Sequence, residues 1–403
     1  GHAVGEVTGA DGVERTHVRE KGINLTTVVG TVRVPRTGYS LPGVPALHPG
    51  TAQLNLPADS FSHGMQKLIA VEASKNSFEE AVGTVKRVSG VTLGKRQAEE
   101  LTDQAAQDFH AFYEVRNAAL ETSKSMALES SSLLILSMDG KGIVMRKEDL
   151  REPTRKKAEV RVHKLDKRLS RGEKRNAKRM ATVGAIYTVA PFHRTATDVL
   201  SELRDVQDLE KKLKRPKPEY KRVWATLQQE PEDVVRDMFQ EAVRRDPTMQ
   251  KRWVALVDGN ETQIRLLQEH AQTLGVQLTI ILDIIHVTEY LWKAVTTFNK
   301  ESTPEAEEWV SERMLGILQG NVSNVAAGIR RSATLRDIPT SQRKAVDKCA
   351  DYLLKYSAFL KYDEYLFAGL PIATGVIEGA CRHLIKDRMD ITGARWSLKG
   401  AEA

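Results

Sequence analysis

The 403-residue sequence predicts an α/β protein with a mixed sheet, a helical insertion and an N-terminal helical region. Two short apolar runs, 133–138 and 253–257, each end at an Asp-Gly pair and are typical of buried strands. The second run leads into a helical pattern and a further strand at 276–281, which indicates a right-handed βαβ unit with parallel strands. A nearly continuous helical pattern then covers 287–367 and predicts an insertion before the last core element.

The composition indicates a large core and two or three domains, because 41% of the residues are hydrophobic and 28% are charged. The net charge of +7 favours polyanionic partners. The two cysteines, Cys349 and Cys381, are too far apart for a Cys-x-x-Cys site, so we expect reduced thiols in a cytoplasmic protein. The apolar runs are too short for a membrane span. Because the chain starts at Gly1 without Met and stops abruptly at Ala403, we expect a fragment or a processed chain.

The first 57 residues predict a small β-hairpin followed by a loop, and a helical pattern begins near Phe61. Ser77 precedes the second helix and has Glu80 three residues later, as in a capping box. A third helix is expected from Thr92 to about Ser123.

The two helices on either side of Gly90 are compatible with a helix-turn-helix. In that arrangement Lys95, Arg96 and Gln97 would face a DNA groove. An ordinary helical bundle with a solvated charge cluster explains the same spacing, and both interpretations stay open here.

The densest basic stretch of the chain covers residues 147–179. Such a run is either a solvated or disordered face or a set of cations that hold phosphates. It lies between the strand that carries Asp139 and a strand-like segment at 182–189, so we predict a phosphate-binding loop. The cations that we expect to contact DNA are Arg155, Lys156, Lys157 and Lys164.

Three carboxylates occupy positions from which they could share one site. Asp139 and Asp258 follow the two apolar runs, and Glu378 lies in the first turn of a helix that starts after Gly375. Clustered carboxylates repel one another unless cations neutralise them, so the pattern favours a hard divalent metal such as Mg²⁺. Asp283, at the end of a third strand, competes with Asp258 for the second position, because α/β sheets bind ligands at the carboxyl ends of their strands.

Several motifs together resemble the DDE transposases of bacterial insertion sequences, in particular the Kra type, which is related to the Mutator-like group. The most specific are the Glu378 helix with Gly393-Ala-Arg-Trp396, and the segment from Asp283 to Trp292 with its Asp-x-x-His. The others are Ser77-Phe-Glu-Glu-Ala81, Gly94-Lys-Arg-Gln97, Asp108-Phe-His-Ala-Phe-Tyr113 and Met138-Asp-Gly-Lys-Gly142. The resemblance covers nearly the whole chain. Such transposases commonly continue beyond the Gly-Ala-Glu-Ala end and often begin with a cysteine-bearing segment, which this sequence lacks.

The resemblance implies a ribonuclease-H-like catalytic core that cleaves transposon-end DNA and transfers the strand to target DNA. Two Mg²⁺ ions, or Mn²⁺, about 4 Å apart would be held by Asp139 between both metals and by Asp258 and Glu378 at one each. The Asp258 strand would lie next to the Asp139 strand and the Asp283 strand one place further out, which favours Asp258 as the second ligand. The implied partners are double-stranded DNA, as terminal repeats and target, and further copies of the chain in a synaptic complex; no membrane partner is expected.

Other residues near these motifs have two interpretations each. Asp283 is expected to support the ligands or to cap a helix, and His286 either to contact DNA or metal or to be structural. Trp396 either packs in the core or stacks on a nucleotide with Arg395. Cations that could hold phosphates near the cleaved bond are Arg382, Lys386, Arg388 and Arg395.

The expected division of the chain has five parts. They are a β and loop segment at 1–57, a helix-turn-helix-like DNA-binding region at 58–127, the first part of the core at 128–285, the helical insertion at 286–370 and the final core helix with Glu378 at 371–403. A DNA-binding protein without catalysis, derived from a transposase, and a ribonuclease-H-like nuclease are the alternative functions.

Overall fold

The computed structural model describes residues 5–122, 132–161, 176–204, 214–391 and 393–403. It divides into two compact units. The first contains residues 1–114, 144–177 and 386–403, and the second contains 115–143 and 178–385. This division differs from the expected one, because 144–177 and 386–403 belong to the first unit rather than to the core. Within the described ranges, no helix is both long and apolar enough to cross a membrane.

The described residues form strands and helices along the whole chain. The strands are β1 Val7–Thr8, β2 Glu14–Arg15, β3 His17–Thr27, β4 Gly30–Leu41, β5 Val44–Leu47, β6 Leu133–Val144, β7 Lys178–Val189, β8 Glu219–Thr226, β9 Trp253–Val257 and β10 Leu278–Leu282. The helices are α1 Pro49–Gln53, α2 His63–Lys75, α3 Phe78–Ser89, α4 Lys95–Ala105, α5 Phe109–Thr122, α6 Glu152–Glu159, α7 Ala196–Leu203, α8 Pro231–Arg245, α9 Glu261–Leu274, α10 Ile284–Val295, α11 Pro304–Leu318, α12 Val322–Leu335, α13 Lys344–Lys355, α14 Tyr362–Phe367, α15 Gly375–Ala380, α16 Asp387–Met389 and α17 Leu398–Glu402.

The first unit combines the β3–β4 hairpin with a small helical core. Helices α2, α3 and α4 pack through buried apolar side chains that include Met65, Ile69 and Val85. The Ser77 hydroxyl accepts a hydrogen bond from the Glu80 amide and caps α3, which confirms the predicted helix start. Gly90 ends α3 in the left-handed conformation, at φ 71°, which glycine adopts without steric cost.

The expected third helix is wrong as a single element. The chain forms α4 and α5 instead, and residues 106–108 form a turn between them. The run of Asp-Gln-Ala-Ala-Gln-Asp at 103–108 has no apolar periodicity that would signal this break.

The C-terminal segment of the first unit is held by a buried cation. The Arg388 guanidinium donates hydrogen bonds to the Ala73 carbonyl at 2.9 Å and to the Gly400 carbonyl at 3.3 Å. It also lies over the rings of Trp396 and Phe78, at 5.2 and 5.9 Å from their centroids. Burial lowers the pKa of Arg388 to about 10. This side chain therefore stabilises the unit internally.

The second unit is built on a five-stranded mixed sheet in the order β10-β9-β6-β7-β8. Strands β6, β9 and β10 are parallel, whereas β8 is antiparallel to β7. The predicted βαβ unit with parallel strands, here β9-α9-β10, is confirmed. Helices α10 to α14 follow it along the chain and account for the expected helical insertion.

Strand β9 is an interior strand of this sheet, between β10 and β6, and all five of its residues are buried. Asp246, which caps the end of α8, fixes the approach to this strand. Its carboxylate accepts hydrogen bonds from the Trp253 indole at 2.8 Å and from the amides of Lys251 at 2.9 Å and Gln250 at 3.0 Å. One buried side chain thus joins the end of a helix to the start of the central strand.

The basic stretch is not the plain loop that we expected. It contains a short 3₁₀ turn at 147–149 and helix α6, and its last two cations, Lys178 and Arg179, already belong to β7. Lys164 lies outside the described residues. Arg155 and Lys156 are on α6, where they pair with Glu159 and Glu152.

Replacing Asp246 with Ala should lower the free energy of unfolding by about 3 kcal/mol, because three donors, two of them backbone amides, lose their acceptor in a buried place. Urea unfolding followed by Trp fluorescence measures this change. Asp237→Ala is the control, since Asp237 accepts one 3.2 Å hydrogen bond from Gln229 and should cost less than about 1 kcal/mol. Equal losses in the two variants would contradict the role of Asp246.

Candidate active site

The register of the parallel strands aligns three aspartates. Ser137 pairs with Leu256 and Leu282 pairs with Val257, so continuing both pairings by one or two residues brings Asp139, Asp258 and Asp283 to the same level. Adjacent strands lie about 4.8 Å apart, so Asp258 is one strand spacing from each of the other two. This level is at the carboxyl ends of β9 and β10, where parallel sheets bind their ligands.

Asp139 lies inside a strand rather than at its end, so the expectation that this strand ends at the Asp139-Gly140 pair is wrong. Strand β6 continues through Gly140 to Val144. One carboxylate oxygen of Asp139 accepts a 2.6 Å hydrogen bond from the Gly140 amide, and the other accepts a 3.2 Å hydrogen bond from the Cys381 thiol. The carboxylate is half-buried and its direction is fixed by both contacts.

Asp258 does follow the end of its strand directly. Its Oδ1 accepts a 2.9 Å hydrogen bond from the Asn260 amide, and Asn260 caps α9. The next turn is held from outside the sheet, because the Tyr352 hydroxyl donates to the Asp258 carbonyl and the Tyr356 hydroxyl donates to the Gly259 carbonyl at 2.6 Å. Two tyrosines of α13 and its end therefore fix the loop that carries Asp258.

Asp283 is fully buried and is the N-cap of α10. Its carboxylate accepts hydrogen bonds from the Ile285 amide, at 2.9 Å, and from the Thr374 hydroxyl. Burial raises the pKa of Asp283, although these hydrogen bonds act in the opposite direction. With both oxygens engaged inside the protein, Asp283 is a supporting residue in this conformation rather than an open ligand.

Glu378 lies in α15 and is exposed. Partial burial of its carboxylate raises its pKa, and the negative charges of Asp283, Asp139 and Glu289 raise it further. The His286 ring acts in the opposite direction and lowers the pKa. Glu378 is therefore electrostatically coupled to two of the three aligned aspartates, and Asp283 affects it more strongly than Asp139.

The structure thus brings the predicted residues into one region of the second unit. They do not form a closed cluster: among the described residues, no three His, Cys, Asp or Glu side chains lie close enough together to hold a metal ion. The chemistry of the donors nevertheless suits a hard cation. Asp139, Asp258 and Glu378 offer carboxylate oxygens, which Mg²⁺ and Mn²⁺ prefer, and a bound cation would oppose the burial and the neighbouring negative charges that raise the pKa of Glu378.

Cys381 is a site residue that the sequence analysis did not find. It is buried, follows Glu378 by one helical turn, and starts a π-helical segment, Cys381–Lys386. Burial and the neighbouring Asp139 carboxylate raise the pKa of its thiol, so the sulfur stays protonated and can donate to Asp139. The spacing of three residues from Glu378 was the available signal, because residues i and i+3 share a helix face.

The predicted DNA-binding residues occupy different environments. Lys95, Arg96 and Gln97 are exposed in the first turn of α4, where they contact Glu79, Glu100 and the Gly94 amide, respectively. Lys157 is exposed on α6. Three further cations, Arg382, Lys386 and Arg395, are also exposed.

The prediction that Arg388 holds a DNA phosphate is wrong. Arg388 is buried, with a relative exposure of 8%, and its donors are used within the first unit. Trp396 packs in the core rather than being free to stack on a nucleotide, since its ring is buried against Phe78 and Arg388. Nothing in the sequence around Arg388, near the end of a helix, indicates that its side chain is buried.

Comparison with known proteins adds no identification, because no protein-family model matches the chain and a search of curated proteins gave no match. The resemblance to transposases therefore depends on the motifs of the sequence and stays a prediction.

The raised pKa of Glu378 predicts a pH-dependent cost of ionising this group in the folded protein. The pKa of Glu378 is higher in the folded protein than in the unfolded one, so the protonated group favours folding. This contribution to the free energy of unfolding is fully present below the unfolded pKa, near 4.5, and is lost as the pH rises through the folded pKa. In metal-free buffer, Glu378→Gln should therefore raise the urea midpoint relative to the parent at pH 7 but not at pH 4. Glu308→Gln, an exposed change on α11, is the control and should show no such difference. A lower urea midpoint for Glu378→Gln than for the parent at pH 7 would contradict the raised pKa of Glu378.

Proposed function

We propose that this protein is a metal-dependent transposase of the DDE type, which cleaves transposon-end DNA and joins it to target DNA. The observation that carries the proposal is the alignment of Asp139 and Asp258 on adjacent parallel strands, together with the coupling of Glu378 to Asp139. The family motifs fall on these same residues. The basic character of the chain, with a net charge of +7, supports DNA as the substrate.

The strand arrangement supports a ribonuclease-H-like core. The resemblance implies that the Asp258 strand neighbours the Asp139 strand and that the Asp283 strand lies one place further out, and this is the order of β6, β9 and β10. The antiparallel β7–β8 pair on the other side of β6 makes the sheet mixed, as expected for that fold.

Each carboxylate has its own part in this proposal. Asp139 is oriented by Gly140 and Cys381 and would hold both metals, while Asp258 and Glu378 would hold one each. Bound Mg²⁺ ions would supply Lewis-acid activation of the attacking water and of the leaving 3′-oxygen. Asp283 anchors α10 and contributes negative charge next to Glu378.

The remaining partners follow from the same proposal. The exposed first turn of α4 and the cations of α6 would bind double-stranded DNA outside the carboxylate site, and two or more copies would pair the transposon ends. Both cysteines are free thiols, which suits action on DNA in the cytoplasm.

Asp139→Asn and Glu378→Gln should each abolish DNA cleavage and strand transfer, a loss of at least about a thousandfold, because each change removes a metal-binding charge without changing the side-chain size. A gel assay with the terminal repeats of the element and Mg²⁺ measures both products. Both variants should bind the same DNA as well as the parent does, since neither residue is one of the exposed cations of α4 and α6.

Glu308→Gln serves as the charge-matched control and should keep the parent rate. An active parent that keeps its rate after both site substitutions would refute the metal-dependent mechanism. DNA binding by a parent that produces neither product with Mg²⁺ or Mn²⁺ would instead favour the non-catalytic DNA-binding protein.

A further inference from the structure

A cleft of about 620 Å³ lies in the helical insertion of the second unit, between α10 and the start of α13. Three of its lining residues are lysines. The side chains that matter here are Tyr290, Lys293, Thr297, Gln342, Lys344 and Lys348.

The charged residues that line this cleft are all positive. All three lysines are exposed, and none of the residues that line the cleft is acidic. Lys293 pairs with Glu289 at 3.1 Å, one turn away on α10, whereas Lys344 and Lys348 form no ion pair within the described part of the chain. At least two ammonium groups are therefore available to an anion.

The shape and lining of the cleft favour a phosphate backbone over a base. Lysine ammonium groups, a threonine hydroxyl and a glutamine amide all donate hydrogen bonds to phosphate oxygens. The one aromatic ring, Tyr290, is stacked on Tyr352 with centroids 3.9 Å apart and planes 11° apart, so one of its faces is covered. Lys293 lies over the same ring, 5.3 Å from its centroid.

Helix α10 and Tyr352 connect the cleft to the region of the carboxylates. Helix α10 starts at its N-cap Asp283, and Tyr290 and Lys293 follow that residue by 7 and 10 positions. At 1.5 Å per residue they lie about 10 to 15 Å along the helix. Tyr352, which covers Tyr290, also donates its hydroxyl hydrogen bond to the Asp258 carbonyl. A DNA strand advances about 3.4 Å per nucleotide, so this distance and the reach of a lysine correspond to about three to six nucleotides.

We infer that the cleft binds the backbone of the DNA strand about three to six nucleotides from the phosphate that is held at the carboxylates. The inference rests on the proposed function, which supplies the position of the cleaved phosphate. It assigns to Lys344 and Lys348 a contact that is independent of sequence and that keeps the strand in line with the site.

The test is a scan of terminal-repeat DNA in which one phosphate at a time is replaced by an uncharged methylphosphonate. Binding to the parent should weaken at positions three to six nucleotides from the cleaved bond. The double variant Lys344→Gln/Lys348→Gln should bind unmodified DNA about tenfold or more weakly at 0.1 M salt, with a salt slope smaller by about 2. It should also lose the extra penalty at those positions, because the contact is already absent.

The control is Lys355→Gln/Lys361→Gln, which removes the same charge from lysines that pair with Glu261 and Glu364 outside the cleft. This control should retain the penalty and most of the affinity. A parent that cleaves DNA but shows no penalty at these positions, or a cleft variant that keeps it, would overturn the inference and leave the proposed function intact. A parent that neither binds nor cleaves DNA would overturn both.

A titration with the mononucleotide dAMP separates a strand from a free phosphate ester. Tight binding of dAMP that is lost in the cleft variant, combined with a flat methylphosphonate scan, would assign the cleft to a free nucleotide and would also overturn the inference.

Discussion

The parallel register of β6, β9 and β10 is the constraint on which the candidate site depends. One pairing offset between β6 and β9 and another between β9 and β10 bring three aspartates to one level across the sheet. A shift of either pairing by a single residue would move an aspartate about 3.3 Å along the strand and turn its side chain to the opposite face. The surrounding structure resists such a shift, since β9 is completely buried and Asp246 fixes the residues that enter it.

This alignment brings several carboxylates close together, and the surroundings of each carboxylate differ. Asp283 is enclosed by hydrogen-bond donors and is used to start a helix, so these donors offset part of the cost of burying its carboxylate. Asp139 has a weak thiol donor and one amide, and Glu378 is exposed with a raised pKa. Burial and the neighbouring acids raise the pKa of Glu378, so ionising this group in the folded protein costs stability.

Local chemistry accounts for what could be predicted from the sequence. The cap at Ser77 and the parallel β9-α9-β10 unit follow from nearby residues and from the spacing of apolar side chains. Properties that depend on distant residues were not predictable. Cys381 reaches Asp139 across 242 positions of sequence, and Arg388 is buried by Phe78 and Trp396, which come from opposite ends of the chain. Strand β6 extends past Asp139 because β7 lies beside Gly140 and Gly142. A side chain at either of these two positions of β6 would contact Met180 of β7.

The complete burial of β9 also determines how the two sides of the candidate site fluctuate. Amide protons of a fully buried interior strand exchange with solvent through large-scale opening, whereas those of helical turns with exposed residues can exchange through local opening. Asp258 is attached to β9, and Glu378 lies on α15, a helix of six residues that continues into a π-helical segment. Hydrogen exchange should therefore be slow at the strand and fast at the helix, so the site has one rigid wall and one that can open. A long polymer could enter from the side of Glu378 without disturbing the sheet that aligns the aspartates.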